Sequence, residues 1–248
     1  MPRLRSTDLP PESSIKVDDT TIVLLRDVDL SYEPGAKALA GVDLKIQSGS
    51  FHFLTGESGA GKTSLLRLLS LSVHPERGQM NLFGRDVARL HRRERASLRQ
   101  RIGVIFQDFR LLKHLTAFDN VALPLRIAGM KEDRIASTVC DMFTWLELEE
   151  IMEKRPAELS IGQQQLVAIA RGVITRPKLL LADEPTSNVD QRRADRLINL
   201  FLQMEKLGTS VIFATHSGDL LRRHRFPALH MEKGRLRTQP RAGLQAAG

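Results

Sequence analysis

The sequence predicts an α/β fold in which a strand-rich core is interrupted by a helical insert. Three observations carry that prediction. The strand-like run FHFLT, residues 51–55, leads straight into a Gly-rich turn and an apolar helix, TSLLRLLSLS. Two late runs, KLLLAD at 178–183 and SVIFAT at 210–215, are short, apolar and bounded by polar or Gly residues. That texture is expected of parallel strands buried on both faces. Roughly residues 108–172, between these parts, carry helical spacing instead.

In chain order, residues 1–20 are rich in Pro, Ser and Asp, lack a hydrophobic period and read as a flexible tail. From Thr21 the pattern turns to strands, TIVLLRDVDL and then VDLKI, ahead of FHFLTG. The segment GRDVARLHRRERASLRQR, residues 84–101, holds seven arginines. It reads as a solvated helix face, with a surface for anionic lipid as the alternative. Within the insert, RIASTVCDMFTWLELEEIM sets Ile135, Val139, Met142 and Leu146 on one helix face. Near the end, ALHMEKGRLR reads as a hairpin turning at Lys233-Gly234, and from Thr238 the chain reads as tail again. One domain is therefore expected over 21–237, with a helical subdomain at about 108–172.

Composition narrows the function classes. A chain of 248 residues can bury a substantial core, and 42% hydrophobic with 27% charged residues is ordinary for a globular protein. Cys140 is the only cysteine, which excludes an intramolecular disulfide framework and a cysteine-rich zinc site. No stretch approaches the ~20 apolar residues that span a bilayer. The opening MPRLRSTDLPPESS lacks the apolar core of a secretory signal, so a cytosolic location is expected. The net charge of +8 suits nucleic acid, an anionic membrane or phosphorylated small molecules, and composition does not choose among them. Ten Phe, one Tyr and one Trp offer little surface for stacking bases.

The motifs do choose. GESGAGKT, Gly56 to Thr63, fits the phosphate-loop pattern G-x-x-x-x-G-K-[ST]. Its glycines, with Glu57, Ser58 and Ala60 between them, let backbone N–H groups curl toward phosphate oxygens, and the following helix adds its positive end. Lys62 can reach the β- and γ-phosphates, the Thr63 hydroxyl can ligate Mg²⁺, and Ser64 is placed for the α-phosphate. A magnesium–nucleotide site also needs a carboxylate at the end of a neighbouring strand. KLLLADEP supplies Asp183 to hold the metal through water, then Glu184 to polarise the attacking water as general base.

Between and after these motifs stand ELSIGQQQ (158–165), SNVD (187–190) and ATHS (214–217). That order, over roughly residues 21–236, resembles the nucleotide-binding domain of ABC-type ATPases. The resemblance implies a P-loop NTPase fold, with a RecA-like core, an antiparallel β subdomain and an α-helical subdomain. It also implies roles. Tyr32 stacks on adenine, the alternative being a buried strand-end tyrosine. Gln107 touches Mg²⁺ and the attacking water while sensing a transmembrane partner. His216 contacts the γ-phosphate. Ser160, Gly162 and Gln163 complete the ATP site of an opposite subunit, and Asp190 belongs to the loop that crosses between subunits. A homodimer closing on two ATP molecules follows. Two departures stand out: Ile161 replaces the first Gly of the usual LSGGQ, and Leu166 replaces the arginine that usually follows the glutamines.

A narrower resemblance surrounds Gln107. The runs IGVIFQDFRLL and LTAFDNVALPLRIAG are similar to the FtsE family of cell-division ATP-binding proteins. This implies a Mg²⁺-dependent ATPase on the cytoplasmic face of the bacterial inner membrane, working with an FtsX-like permease and, through it, on peptidoglycan hydrolases and the division machinery. No nucleic acid is expected as partner. The nearest alternative is the ATPase of a lipoprotein-release or macrolide-export transporter. A nucleic-acid-handling ABC ATPase is disfavoured by the compact insert, the single cysteine and the single domain. A binding-only regulator is disfavoured by the intact Lys62, Asp183, Glu184 and His216.

Overall fold

The computed structural model describes residues 20–33 and 35–239. The tails expected at 1–20 and 238–248 therefore lie almost wholly outside the described residues. Two sheets organise the chain. Strands β1 (Thr21–Glu33), β2 (Ala36–Gln47), β4 (Arg77–Leu82) and β5 (Arg85–Asp86) form an antiparallel sheet in the order β2-β1-β4-β5. The second sheet has the order β10-β9-β3-β8-β7-β6. Its strands are β3 (Phe51–Thr55), β6 (Ile102–Ile105), β7 (Leu179–Asp183), β8 (Ser210–Ala214), β9 (Ala228–Glu232) and β10 (Arg235–Gln239). All its pairings are parallel except β9 with β10.

Alternation explains why β7 and β8 are apolar along almost their whole length. In β7, Leu180 and Ala182 join the core shared with the helical insert, while Leu179 and Leu181 join the core shared with β1 and β2. Strand β8 divides the same way, Val211 and Phe213 to one side, Ile212 and Ala214 to the other. Successive side chains point to opposite faces, so a sheet covered on both faces needs no polar positions. The first face is covered by α5 (Ile161–Val173) and α6 (Gln191–Lys206), with α3 (Ala117–Ile127) and α4 (Glu132–Leu146) packed behind α5 in the same core. The other is covered by α1 (Lys62–Leu69) and the antiparallel sheet. The remaining helices are α2 (Arg92–Gln100) and the short α7 (Gly218–Arg223).

The hairpin at Lys233-Gly234 forms as expected, with both residues at positive φ (47° and 75°), as a two-residue turn between right-twisted strands requires. Strand β10 continues to Gln239, two residues beyond the boundary read at 237, because Thr238 and Gln239 pair with Leu229 and Ala228. On α4 the buried stripe is Ile135, Val139, Phe143 and Leu146, with Met142 only partly buried beside it. The Arg-rich segment forms β5, a short 3₁₀ turn and α2, and several of its arginines have protein partners. Arg85 pairs with Glu94, Arg99 donates to the Leu71 carbonyl (2.8 Å), and Arg101 lies 4.0 Å over the Phe83 ring.

Candidate functional site

Four parallel strands end at one edge of the larger sheet, and each delivers a chemical group there. Gly56 follows β3, Gln107 follows β6, Asp183 closes β7 and His216 follows β8. Ligand sites in open α/β sheets form at this carboxyl edge. The strand ends surround a cavity of about 550 Å³ lined by Gly56, Glu57, Ser58, Gly59, Gly61, Lys62, Thr63, Ser64, Gln107, Asp183, Glu184 and His216. Every one of these was singled out from the sequence.

The loop from Gly56 to Gly61 wraps tightly because its neighbours leave no room for side chains. A Cβ on Gly56 would run into the Met231 carbonyl oxygen, and one on Gly61 would come within 2.8 Å of the Ala38 carbonyl oxygen. Both glycines have strongly positive φ, 138° and 109°. Ala60 turns away from the cavity into the core, 8% exposed. Lys62 opens α1, and its ammonium donates to the carbonyls of Gly56 (2.7 Å) and Glu57 (3.0 Å). The positive charge is thus held against the loop, at the helix end that favours anions.

Across the cavity, Asp183 is 6% exposed and accepts a hydrogen bond from the Thr63 hydroxyl at 2.9 Å. Burial pushes its pKa above the ordinary carboxylate value; the Thr63 bond and the Lys62 charge act in the opposite direction. Glu184 sits at φ 49°, the left-handed region that a β-substituted residue enters at a cost of roughly 1–3 kcal/mol. Its N–H donates to the Ala214 carbonyl at 3.1 Å, tying the end of β7 to β8. Its side chain is 10% exposed and meets His216 Nδ1 at 2.7 Å, whereas the His216 side chain is 77% exposed. The pair therefore reaches from a buried carboxylate to an open imidazole.

The donor set suits Mg²⁺ carried by a phosphorylated ligand. It offers one buried carboxylate, a hydroxyl and an amide oxygen, all hard ligands. No cluster of three His, Cys, Asp or Glu able to hold a metal occurs among the described residues. A protein that supplies so few ligands leaves the others to phosphate and water.

The remaining residues named from the sequence do not line this cavity. Tyr32 is 51% exposed, which rules out the buried strand-end alternative. Ser160 caps α5, accepting from Gln163 N–H at 3.2 Å, while Gln163 Oε1 accepts from Ser160 N–H at 2.9 Å. Gly162 packs beside the Asn188 carbonyl, where a Cβ would sit 3.2 Å away. Ile161 is 61% exposed on the same turn, and Leu166 is 2% exposed in the main core. Asp190 caps α6, accepting from Arg193 N–H at 2.9 Å. Two lining residues escaped sequence reasoning, Ala38 and Ser187. Ser187 stands in SNVD and bonds the Glu184 carbonyl at 3.0 Å, so its motif was visible although its position was not. Ala38 carries no signal in the sequence.

Comparison with known proteins agrees with this geometry. The ABC transporter family model matches residues 39–187. The cell division ATP-binding protein FtsE of Escherichia coli K12 is 40% identical over 215 residues, covering 87% of this chain and 97% of that protein. FtsE of Mycobacterium tuberculosis is 37% identical, covering 90% and 97%, and that of Bacillus subtilis 32%, covering 86% and 93%. Among solved structures, the dimeric post-hydrolysis state of the ATP-binding cassette MJ0796, bound to ADP and Pi, superposes with a TM-score of 0.84. It is 30% identical, and the match covers 90% of this chain and all of that one. The chain therefore belongs to the ABC transporter family of ATP-binding, ATP-hydrolysing subunits, in its FtsE cell-division branch.

Proposed function

We propose that this chain is the Mg²⁺-dependent ATPase of an FtsE–FtsX-like membrane complex, in which ATP-driven dimerisation works a permease-like partner that regulates peptidoglycan hydrolysis. The observation that carries the ATPase chemistry is the buried Glu184 carboxylate, bonded to His216 at 2.7 Å on the wall shared with the phosphate loop. In this reading the loop amides and Lys62 cradle the β- and γ-phosphates. Thr63, Asp183 and Gln107 are the residues that would hold Mg²⁺, which would supply charge neutralisation at the phosphates. Glu184 accepts a proton from water as the water oxygen bonds the γ-phosphorus; the bond to the bridging oxygen breaks and ADP leaves. His216 orients Glu184 and faces the γ-phosphate.

Tyr32 provides an exposed ring for adenine. Ser160, Gly162 and Gln163, at the accessible start of α5, serve the ATP of a second copy, and Asp190 lies on the loop crossing between the copies. The dimeric state of the MJ0796 cassette supports this assembly. No helix among the described residues is long and apolar enough to cross a membrane. In this reading the permease attaches the chain to the inner membrane. The run FQDFRLL and the FtsE relatives support division rather than transport as the process served.

Affinity capture of a Glu184→Gln variant from detergent-solubilised membranes with ATP tests the proposal. A four-span FtsX-like permease should come with it. A lipoprotein or drug permease would move the chain to transport, and nucleic acid without a membrane protein would overturn the reading.

A further inference from the structure

The loop that carries Gln107 from β6 to α3 is held in an unusual conformation. Phe109 and Arg110 are consecutive left-handed residues, φ 56° and 50°, although the run 106–112 contains no glycine. L-residues avoid that region because Cβ crowds the carbonyl oxygen, so such a turn persists only where its surroundings over-determine it. Part of the support is internal. Phe109 N–H donates to the Phe106 carbonyl at 3.1 Å, and Arg110 Nε donates to the Asp108 carboxylate at 3.0 Å. The Arg110 guanidinium also lies 3.9 Å over the Phe106 ring.

The rest comes from α5. The Arg171 guanidinium donates to the Phe109 carbonyl through Nη2 and to the Arg110 carbonyl through Nη1, both at 2.7 Å. The two residues in the strained conformation are thus the two whose carbonyls Arg171 grips. Burial pulls the Arg171 pKa below the ordinary arginine range, and no carboxylate pairs with it among the described residues. A desolvated charge is spent on two loop carbonyls. At the far end of the loop, fully buried Asn120 of α3 accepts from Leu112 N–H at 2.8 Å and donates to the Leu112 carbonyl at 3.1 Å.

We infer that Arg171 is a positioning residue for Gln107, the link through which α5 sets the loop that delivers Gln107 to the phosphate cavity. The inference rests on the proposed role of Gln107 at the nucleotide. Helix α5 then joins two functional elements, with Ser160, Gly162 and Gln163 at its first turn and the Gln107 loop at its last. A displacement of α5 moves both together. Lysine at 171 would keep a charge but not the planar guanidinium whose two terminal nitrogens each reach one of the two carbonyls.

A double-mutant cycle tests the link. ATP turnover and fluorescent-nucleotide affinity are measured for wild type, Arg171→Met, Arg171→Lys, Gln107→Ala and the double variants, below their melting temperatures. Arg171→Met and Arg171→Lys should each lower kcat about tenfold, as loss of a partner orienting a reacting group does. Nucleotide affinity should change by less than about twofold, and the Arg171 effect on kcat should vanish when Gln107 is already alanine. An equal loss in both backgrounds, or an unchanged kcat in Arg171→Met, overturns the inference and leaves the role of Gln107 standing. A Gln107→Ala variant with wild-type turnover overturns both. Should Arg171→Met not fold, Arg171→Lys carries the cycle.

Discussion

Lys62 and Asp183 bring opposite charges to one cavity, and their environments separate what each does. Lys62 is tethered by two loop carbonyls and has no carboxylate partner among the described residues, so its charge is available to a phosphate. Lys62→Ala should weaken ATP binding about ten- to a hundredfold, the worth of a charge-assisted hydrogen bond; unchanged affinity in a titration would remove the phosphate-loop assignment. Asp183 is the reverse case. Its folded pKa is raised by burial, so its contribution to stability is full below the unfolded value near 3.8 and is lost as pH rises through the folded one. Once ionised, the buried carboxylate is a cost that the proposed cation would relieve. Asp183→Asn should therefore melt higher than wild type without nucleotide, by roughly 2–4 °C per kcal/mol relieved. It should also lose the Mg²⁺ stimulation of ATP turnover. A lower melting temperature would contradict this account of the site.

At the scale of elements, Asp29 shows how the antiparallel sheet is tied together. From β1 it accepts from the Lys37 ammonium and the Gly41 N–H of β2, both at 2.7 Å, with Arg77 of β4 at 4.0 Å. The Lys37 bond, then the Gly41 bond, hold its pKa below the ordinary carboxylate value. Stability from this group is present above pH 3.8 and is lost as pH falls through the lowered pKa. Asp29→Asn should be less stable at pH 7 and converge with wild type below that window in acid unfolding; parallel curves would place the stabilisation elsewhere. This sheet was only half legible in the sequence. Strands β1 and β2 announce themselves by apolar alternation, but RGQMNL of β4 buries only Met80 and Leu82, too few for a period. Strand β6 is four residues and includes Gly103, where a Cβ would strike the Gly172 carbonyl oxygen. That glycine serves close packing against α5, a tertiary fact with no local signal. The phosphate loop, β7 and the β9–β10 turn were legible because local chemistry dictates each of them. The grip of Arg171 on residues sixty-one and sixty-two positions earlier was not.

For the whole molecule, the proposed function makes the cavity one wall of an ATP site, and the residues proposed to complete it stand on the protein's surface. Ile161 marks that surface. It is 61% exposed on the first turn of α5, the turn proposed to meet the ATP of a second copy. Ile161→Gly should raise ATP-dependent self-association and turnover by a few-fold, at a helix cost of about 0.5–1 kcal/mol; an unchanged rate would show the side chain to be harmless. In the proposed function Glu184 is the base of a site closed by two copies. Its most direct test is the solution mass of Glu184→Gln with and without ATP, alongside its ATP turnover. The expected result is a doubling from the 27.8 kDa protomer on adding ATP, with turnover reduced at least about a hundredfold. A protomer mass with ATP bound, together with wild-type turnover, would contradict it.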